Sequence, residues 1–355
     1  MKSFFSPTLK LLVAATLAVS IGASTLAAEV KDKFQVAWTI YVGWMPWDYA
    51  QQSGIIDKWA KKYGIEIKMV QVNDYVESIN QYTAGKFDGC VMTNMDALTI
   101  PAAGGVDSTA VIIGDFSNGN DGVILKDKKK LSDIKGQNVN LVELSVSHYL
   151  LARGLESVGL SEKDLKVVNT SDADIVAAFS SKDVTSLVTW NPQLSEIKSM
   201  KGASLVFDSS KIPGEIIDML VLNTKTIHDN PKLAKALTGA WYEVMDLMKK
   251  GDANAINMMA KASGTDVAGF NSQLKTTKMF YDAKDALAFT TSAALPKTMQ
   301  KVSEFSYEHG ILGDGAKDAT YVGMAFPNGK TYGSTSNVKL RFSDEYMKLA
   351  SEGKL

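Results

Sequence analysis

Cysteine and arginine are almost missing from this chain: Cys90 stands alone among 355 residues, and Arg153 and Arg341 are its only arginines. A lone cysteine excludes an internal disulfide, and its position in FDGCVMT, inside an apolar strand pattern, suits a small buried hydrophobe better than a nucleophile. The histidines are as few, and His148, His228 and His309 stand at no metal-ligand spacing. No glycine-rich phosphate loop separates a strand from a helix, since GGVDS follows a helix pattern and GDGAK lies near the tail. These absences argue against an enzyme and against a bound cofactor or metal. A formal charge of −1 offers no surface for nucleic acid or acidic membrane. The want of arginine bears on ligands too, because a paired guanidinium is the usual grip on a small oxyanion.

What is present begins with a leader. Lys2 and Lys10 precede an apolar run from Leu11 to about Ala23, and small residues follow at Thr25, Leu26 and Ala27. The run falls short of the roughly 20 residues a membrane span needs, so it predicts a signal peptide over 1–27, cleaved near Ala27, with no membrane anchor retained. The remaining chain, at 45% hydrophobic, is long enough to hold two lobes by their cores alone.

From Phe34 to Phe116 the pattern runs strand, helix, strand, helix, strand, helix, strand, which predicts a parallel sheet covered on both faces. PWDYAQQSGIIDKWAKKYG reads as one helix from Pro46 to Gly64. The polar break SNGND (Ser117 to Asp121) interrupts this, and a second α/β run follows to Asn223. Long amphipathic helices fill the chain to His309, and TYVGMAFPNGKTYGSTSNVKLRF reads as a hairpin or an irregular appendage.

The order GWMPWDYAQQSGIIDKWAKKYGIEIKMV, AGKFDGCVMTNMDAL, LSDIKGQNV, SVSHYLLARGLESVGLSEKDLKVV and a strand ending in TWNPQL resembles the nitrate/taurine-type periplasmic solute-binding proteins of ABC importers. The resemblance runs from about Phe34 to Leu222. It implies a two-lobe α/β fold of the type II periplasmic binding class, each lobe a mostly parallel sheet flanked by helices, with a helical C-terminal extension of the first lobe. On that reading 28–118 and 221–355 form the first lobe and 119–220 the second. A monomeric periplasmic protein is implied, with a small-molecule solute and the permease and ATPase subunits as partners. The tryptophan-rich start and the tail NVKLRFSDEYMKLASEGKL resemble the branch associated with urea carboxylase, whose assumed ligand is urea or guanidine.

Ligands of parallel α/β sheets sit beyond the carboxyl ends of strands. That rule, laid on the pattern above, selects Tyr41, Trp44 and Trp47 after the first strand, Asn94 and Asp96 after the third and Asp115 after the fourth. In the second run it selects Glu143 and Ser145, then Trp190 and Asn191 after SLVTW, and Asp218 beyond. His148, opening a helix, reads as a packing or capping residue. Aromatic faces beside carboxylates suit a flat cation or dipole, so the expected ligand is a small planar nitrogen-rich solute, guanidinium ahead of urea. The alternatives are a small anion such as nitrate, taurine or an aliphatic sulfonate, held at a helix N-terminus by Ser145 and Ser147, and an enzyme on the same fold.

Overall fold

The computed structural model describes residues 31–355, so the predicted leader lies outside the described residues. Strands β1 (Lys33–Trp38), β2 (Glu66–Gln71), β3 (Gly89–Thr93) and β4 (Ser108–Ser117) arise where the sequence pattern put them. The chain then crosses to a second sheet made of β5 (Asp121–Lys126), β6 (Asn138–Leu141), β7 (Lys166–Asn169), β8 (Ser186–Trp190) and β9 (Ala203–Asp208). It returns as β10 (Ile217–Asn223), and β11 (Thr277–Met279), β12 (Gly323–Ala325), β13 (Thr331–Tyr332) and β14 (Val338–Phe342) all join the first sheet.

The first sheet runs β13-β12-β14-β4-β10-β3-β1-β2, with β11 paired to β4, and the second runs β7-β6-β8-β5-β9. Both are mixed rather than mostly parallel. A chain that leaves one lobe and returns to it inserts a strand pointing backwards, and β10 lies antiparallel between β3 and β4 for that reason. In the second sheet β5 is likewise antiparallel to β8 and β9.

Two local expectations are corrected. The helix from Pro46 breaks into Met45–Gln52 and Ile55–Tyr63, because Gly54 turns the chain at φ 77°, where a side chain is strained. The tail is no appendage. β14 pairs parallel to β4 through Leu340, Arg341 and Phe342, and Arg341 closes on Asp107 at 2.8 Å. The long helix Lys232–Lys249 lays its buried face, Leu233, Leu237, Trp241 and Val244 among others, into the first lobe's core.

No helix among the described residues is long and apolar enough to cross a membrane.

Candidate functional site

Where the two sheets meet, residues from both enclose a cavity of about 20 Å³. Tyr41, Trp44, Tyr75, Thr93, Ile216 and Asp218 come from the first-sheet side, and Asp121, Val146 and Trp190 from the second. Space of that order admits little more than a water or a few heavy atoms. Larger grooves of about 770 and 900 Å³ are open to solvent; the first is lined by no aromatic ring and the second by Phe34 alone, beside Asp88.

The rings form a cage. Trp44 meets Tyr41 edge-on at 5.0 Å between centroids and Tyr75 at 5.6 Å, and Trp190 closes on Tyr75 at 5.6 Å. Trp44 is aimed by a single tight turn, Val42–Trp44, before the helix that Pro46 opens. Tyr75 opens the helix Tyr75–Thr83, capped by Asp74, and its hydroxyl donates to Asp96 at 2.6 Å while accepting the Thr93 N–H at 3.0 Å. Across the cleft the Tyr75 N–H donates to Asp172 at 3.1 Å, a direct tie to the second lobe.

The acids lie around this cage with no basic side chain among the described residues that line it. Strand register sets Asp115 on β4 opposite Asp218 on β10, which in turn faces Thr93 on β3. Tyr41 donates its hydroxyl to Asp115 at 3.1 Å. Asp121 begins β5 and is held by Ser117 at 2.5 Å. Burial, and for Asp218 also the neighbouring Asp115 charge, pushes both carboxyls of that pair well up. Burial likewise raises Asp121 to about 7 and Asp96 to about 6. Among the described residues, Asp96 Oδ1, Asp115 Oδ2 and Asp218 Oδ2 accept no hydrogen bond of ordinary geometry and Trp44 Nε1 donates none, while the Val146 N–H lies near Asp96 and the raised Asp218 carboxyl keeps its proton toward Asp115. The surplus is of acceptors.

Of the residues expected at the site, Tyr41, Trp44, Trp190 and Asp218 line the cavity, and Asp115 and Asp96 stand directly behind its rings. The remaining expected residues do other work. Trp47 is absent from that lining and stacks on Trp241 at 4.8 Å, bordering with Trp44, Asp115 and Asp218 a second space of about 10 Å³ behind the cavity. Asn94 clamps the return strand, accepting from Ile217 N–H at 3.0 Å and donating to the Glu215 carbonyl at 3.1 Å. Ser145 caps the helix Val146–Ser157 by accepting the Ser147 N–H. Asn191 accepts the Ser195 N–H at 2.9 Å and donates to Thr276 at 3.2 Å, pinning the lobes beside the cavity. Glu143 is exposed, where its charge stays hydrated. Tyr75, Asp121 and Val146 were not anticipated. Tyr75 follows the second strand's exit by one cap residue, and Asp121 was hidden in a stretch that reads only as a polar break.

Since Trp47 packs in the core, Trp47→Phe is expected to lower the melting temperature by a few degrees and leave ligand affinity within about twofold. Calorimetry and a thermal melt separate the two outcomes, and an affinity loss without destabilisation would return Trp47 to the site.

A second meeting of the lobes lies along the helices Val146–Ser157 and Ala294–Glu308. Arg153 at 2.9 Å and Lys301 at 3.1 Å both hold Glu215, which also accepts the Tyr149 hydroxyl at 2.6 Å. Beside them His148 and His309 converge on Glu162, the latter at 2.6 Å, so two of the three histidines do come together despite their spacing. Ligand atoms of these three residues lie within 4.8 Å of one another. His148 Nδ1, however, accepts the Leu144 N–H at 3.1 Å, which leaves the neutral ring's proton on Nε2, facing Glu162. The ring therefore presents a donor there, not a lone pair for a metal. Burial opposes the Glu162 charge, but hydrogen bonds from the two imidazoles hold its carboxyl down at about 2. A depressed carboxyl stabilises above its unfolded value, near 4.3, and that contribution is lost as pH falls through about 2. Glu162→Gln removes the carboxylate on which both imidazoles converge, and it is expected to weaken ligand binding about threefold by favouring lobe opening, which small-angle scattering reads as a larger radius of gyration.

The fold has solved counterparts. The alkanesulfonate-binding protein SsuA from Xanthomonas axonopodis pv. citri bound to MOPS superposes with a TM-score of 0.68 at 17% identity, over 81% of this chain and 96% of that one. The periplasmic nitrate-binding protein NrtA from Synechocystis PCC 6803 gives 0.64 at 12% identity, over 91% and 89%. At such identities the likeness establishes the fold alone, that of the periplasmic binding proteins. A curated relative in Brucella abortus (strain 2308), named only as a binding protein, is 25% identical over 186 residues, 51% of this chain. This chain spans 57% of that relative's length. A family model described as NMT1/THI5 like matches residues 49–255, more than half of the sequence, and the chain belongs to that family.

Proposed function

We propose that this chain is the extracytoplasmic substrate-binding component of an ABC importer and that it carries a small planar nitrogen-rich solute, guanidinium ahead of urea, to a permease. The observation that carries the reading is the surplus of buried acceptors around an aromatic cage. A guanidinium answers both features, because its N–H edges satisfy carboxylates while its face lies on indole or phenol rings. A desolvated cation–π contact is worth about 0.5–2 kcal/mol per ring and a charge-assisted hydrogen bond about 1.5–3 kcal/mol. Two rings and two carboxylates thus reach about 8 kcal/mol, a micromolar dissociation constant, for very few atoms. Urea keeps the shape and the donors but lacks the charge. Closure of the lobes over the solute and presentation of the closed form to the permease is the mechanism this arrangement supports.

The small oxyanion fares worse here. Among the described residues no lysine or arginine lines the cavity, and Arg153 is committed to Glu215 and Glu156. A carboxylate-lined pocket repels an anion, and a sulfonate with an organic tail exceeds the space. Sulfonate and nitrate are nonetheless what the two structural counterparts are named for. Isothermal titration with guanidinium, urea, nitrate and taurine decides between them. Micromolar guanidinium binding is the expected result, and tight nitrate or taurine binding without response to guanidinium or urea overturns the reading.

A further inference from the structure

Asp121 is held by an unusual pair of partners at the place where the chain crosses between lobes. Ser117 ends β4 and Ser209 follows β9, so the two serines belong to the outgoing and the returning crossing. Both are fully buried. Ser117 Oγ lies 2.5 Å from Asp121 Oδ2 and 2.6 Å from Ser209 Oγ. Ser209 Oγ in turn accepts the Gly119 N–H at 2.8 Å, and the Asp121 N–H approaches Ser117 Oγ at 3.2 Å and Ser209 Oγ at 3.4 Å.

The protons in this knot can be assigned. Each serine has one hydroxyl hydrogen. If Ser117 donates to Asp121, Ser209 donates to Ser117, and every hydrogen has an acceptor. Were Asp121 protonated on Oδ2 and donating, Ser117 would turn to Ser209, and the Ser209 hydrogen would be left buried without an acceptor among the described residues. Protonation on Oδ1 would leave this chain of donors intact, but a hydroxyl hydrogen bond is stronger to a carboxylate than to the carbonyl oxygen of a neutral acid, and in that way the arrangement favours the charged form. The other titratable groups facing Asp121 all oppose that charge: Asp115 on β4, Asp218 on β10, Asp96 behind Tyr75, and the Tyr41 hydroxyl. Among the described residues, no cationic side chain lines the cavity to compensate them.

We propose that Ser117, oriented by Ser209, is a positioning residue that keeps Asp121 ionised and its carboxylate aimed at the cavity. Ser117 does not line the cavity; it acts through Asp121. The direction of the affinity change below rests on the cationic-solute reading, whereas the ionisation of Asp121 does not.

The test is a carbon-13 NMR titration of the aspartate carboxyls in ligand-free protein, with Asp121 assigned through Asp121→Asn. Ser117→Ala is expected to raise the Asp121 midpoint by about one pH unit, and Ser117→Thr, which restores the hydroxyl, to bring it back. A midpoint unmoved by Ser117→Ala, or moved and not restored by Thr, overturns the proposal. Guanidinium affinity at pH 7 should fall about tenfold in Ser117→Ala and recover in Ser117→Thr. If the midpoint moves but guanidinium binds none of the proteins, the solute class is wrong and the hydroxyl pair stands. Should Ser117→Ala not fold, Ser209→Ala is the second variant. It leaves Ser117 its proton but not its orientation, and a midpoint within error of wild type there overturns the proposal equally.

Discussion

Asp218→Asn is expected to weaken guanidinium binding about a hundredfold at pH 7.5 while raising, not lowering, the melting temperature of the ligand-free protein. Both effects have one cause. Asp218 lines the cavity and faces Asp115 across paired strands, each with a carboxylate oxygen that nothing in the protein satisfies. Without ligand the two buried carboxyls resist carrying both charges and keep a proton between them, so an isosteric amide, which brings its own hydrogens and no charge, relieves the pair. With a cation present the same charges are the grip, and one charge-assisted hydrogen bond lost with its Coulombic attraction is worth about 3 kcal/mol, close to a hundredfold. Calorimetric titration and a thermal melt of the same preparation read the two halves. An ordinary packing residue would lose stability and affinity together, and that joint loss would remove Asp218 from the binding role. Affinity retained at wild-type level would remove it as well.

Much of the cavity's first-lobe half is legible in the sequence. Tyr41 and Trp44 sit at a strand exit, and the strand-end rule needs only the alternation of KFQVAWTI to find it. Trp190 follows from the same rule in the second run, whereas Asp218 stands at the amino end of β10 and reaches the cavity because that strand runs antiparallel to its neighbours. What the rule cannot supply is direction. Trp44 and Trp47 are three residues apart and the same residue type, yet the turn Val42–Trp44 sends one ring to the cleft and the helix starting at Met45 sends the other to Trp241. Asn94 and Asn191 were found as strand-end polar groups, which they are, but their amides hold backbone together rather than face the cavity. Asp121 escaped because a hinge and a loop share the composition SNGND. The mixed strand directions were illegible for a comparable reason: a hydrophobic run marks a strand without saying which way its neighbours point. Pairing of His148 with His309 was beyond reach too, since residues 161 positions apart meet only through the docking of two helices that no local pattern relates.

Acid should destroy binding and strengthen the empty protein, and this opposition separates a cation site from an anion site without knowledge of the ligand. Burial raises Asp121 to about 7, and raises Asp115 and Asp218 as well, above the value near 3.9 of an unfolded aspartate. A carboxyl raised on folding contributes stability in full below its unfolded value and loses that contribution as pH climbs through its folded value. The ligand-free protein is therefore expected to melt at progressively lower temperature between about pH 4 and 7, each raised carboxyl contributing up to a few kcal/mol to the decline. A cation binds the ionised form, so its affinity grows over the same interval and its binding expels protons. The melting-temperature gain from guanidinium should accordingly be near zero at pH 5 and several degrees at pH 8. Titrations in buffers of different ionisation enthalpy count the protons, and the expected sign is release. An anion held among these acids would have to bring protons in, its affinity rising toward acid. Proton uptake on binding, or a ligand-free melting temperature that climbs from pH 5 to 8, contradicts the assignment of these carboxylates as the grip on the solute.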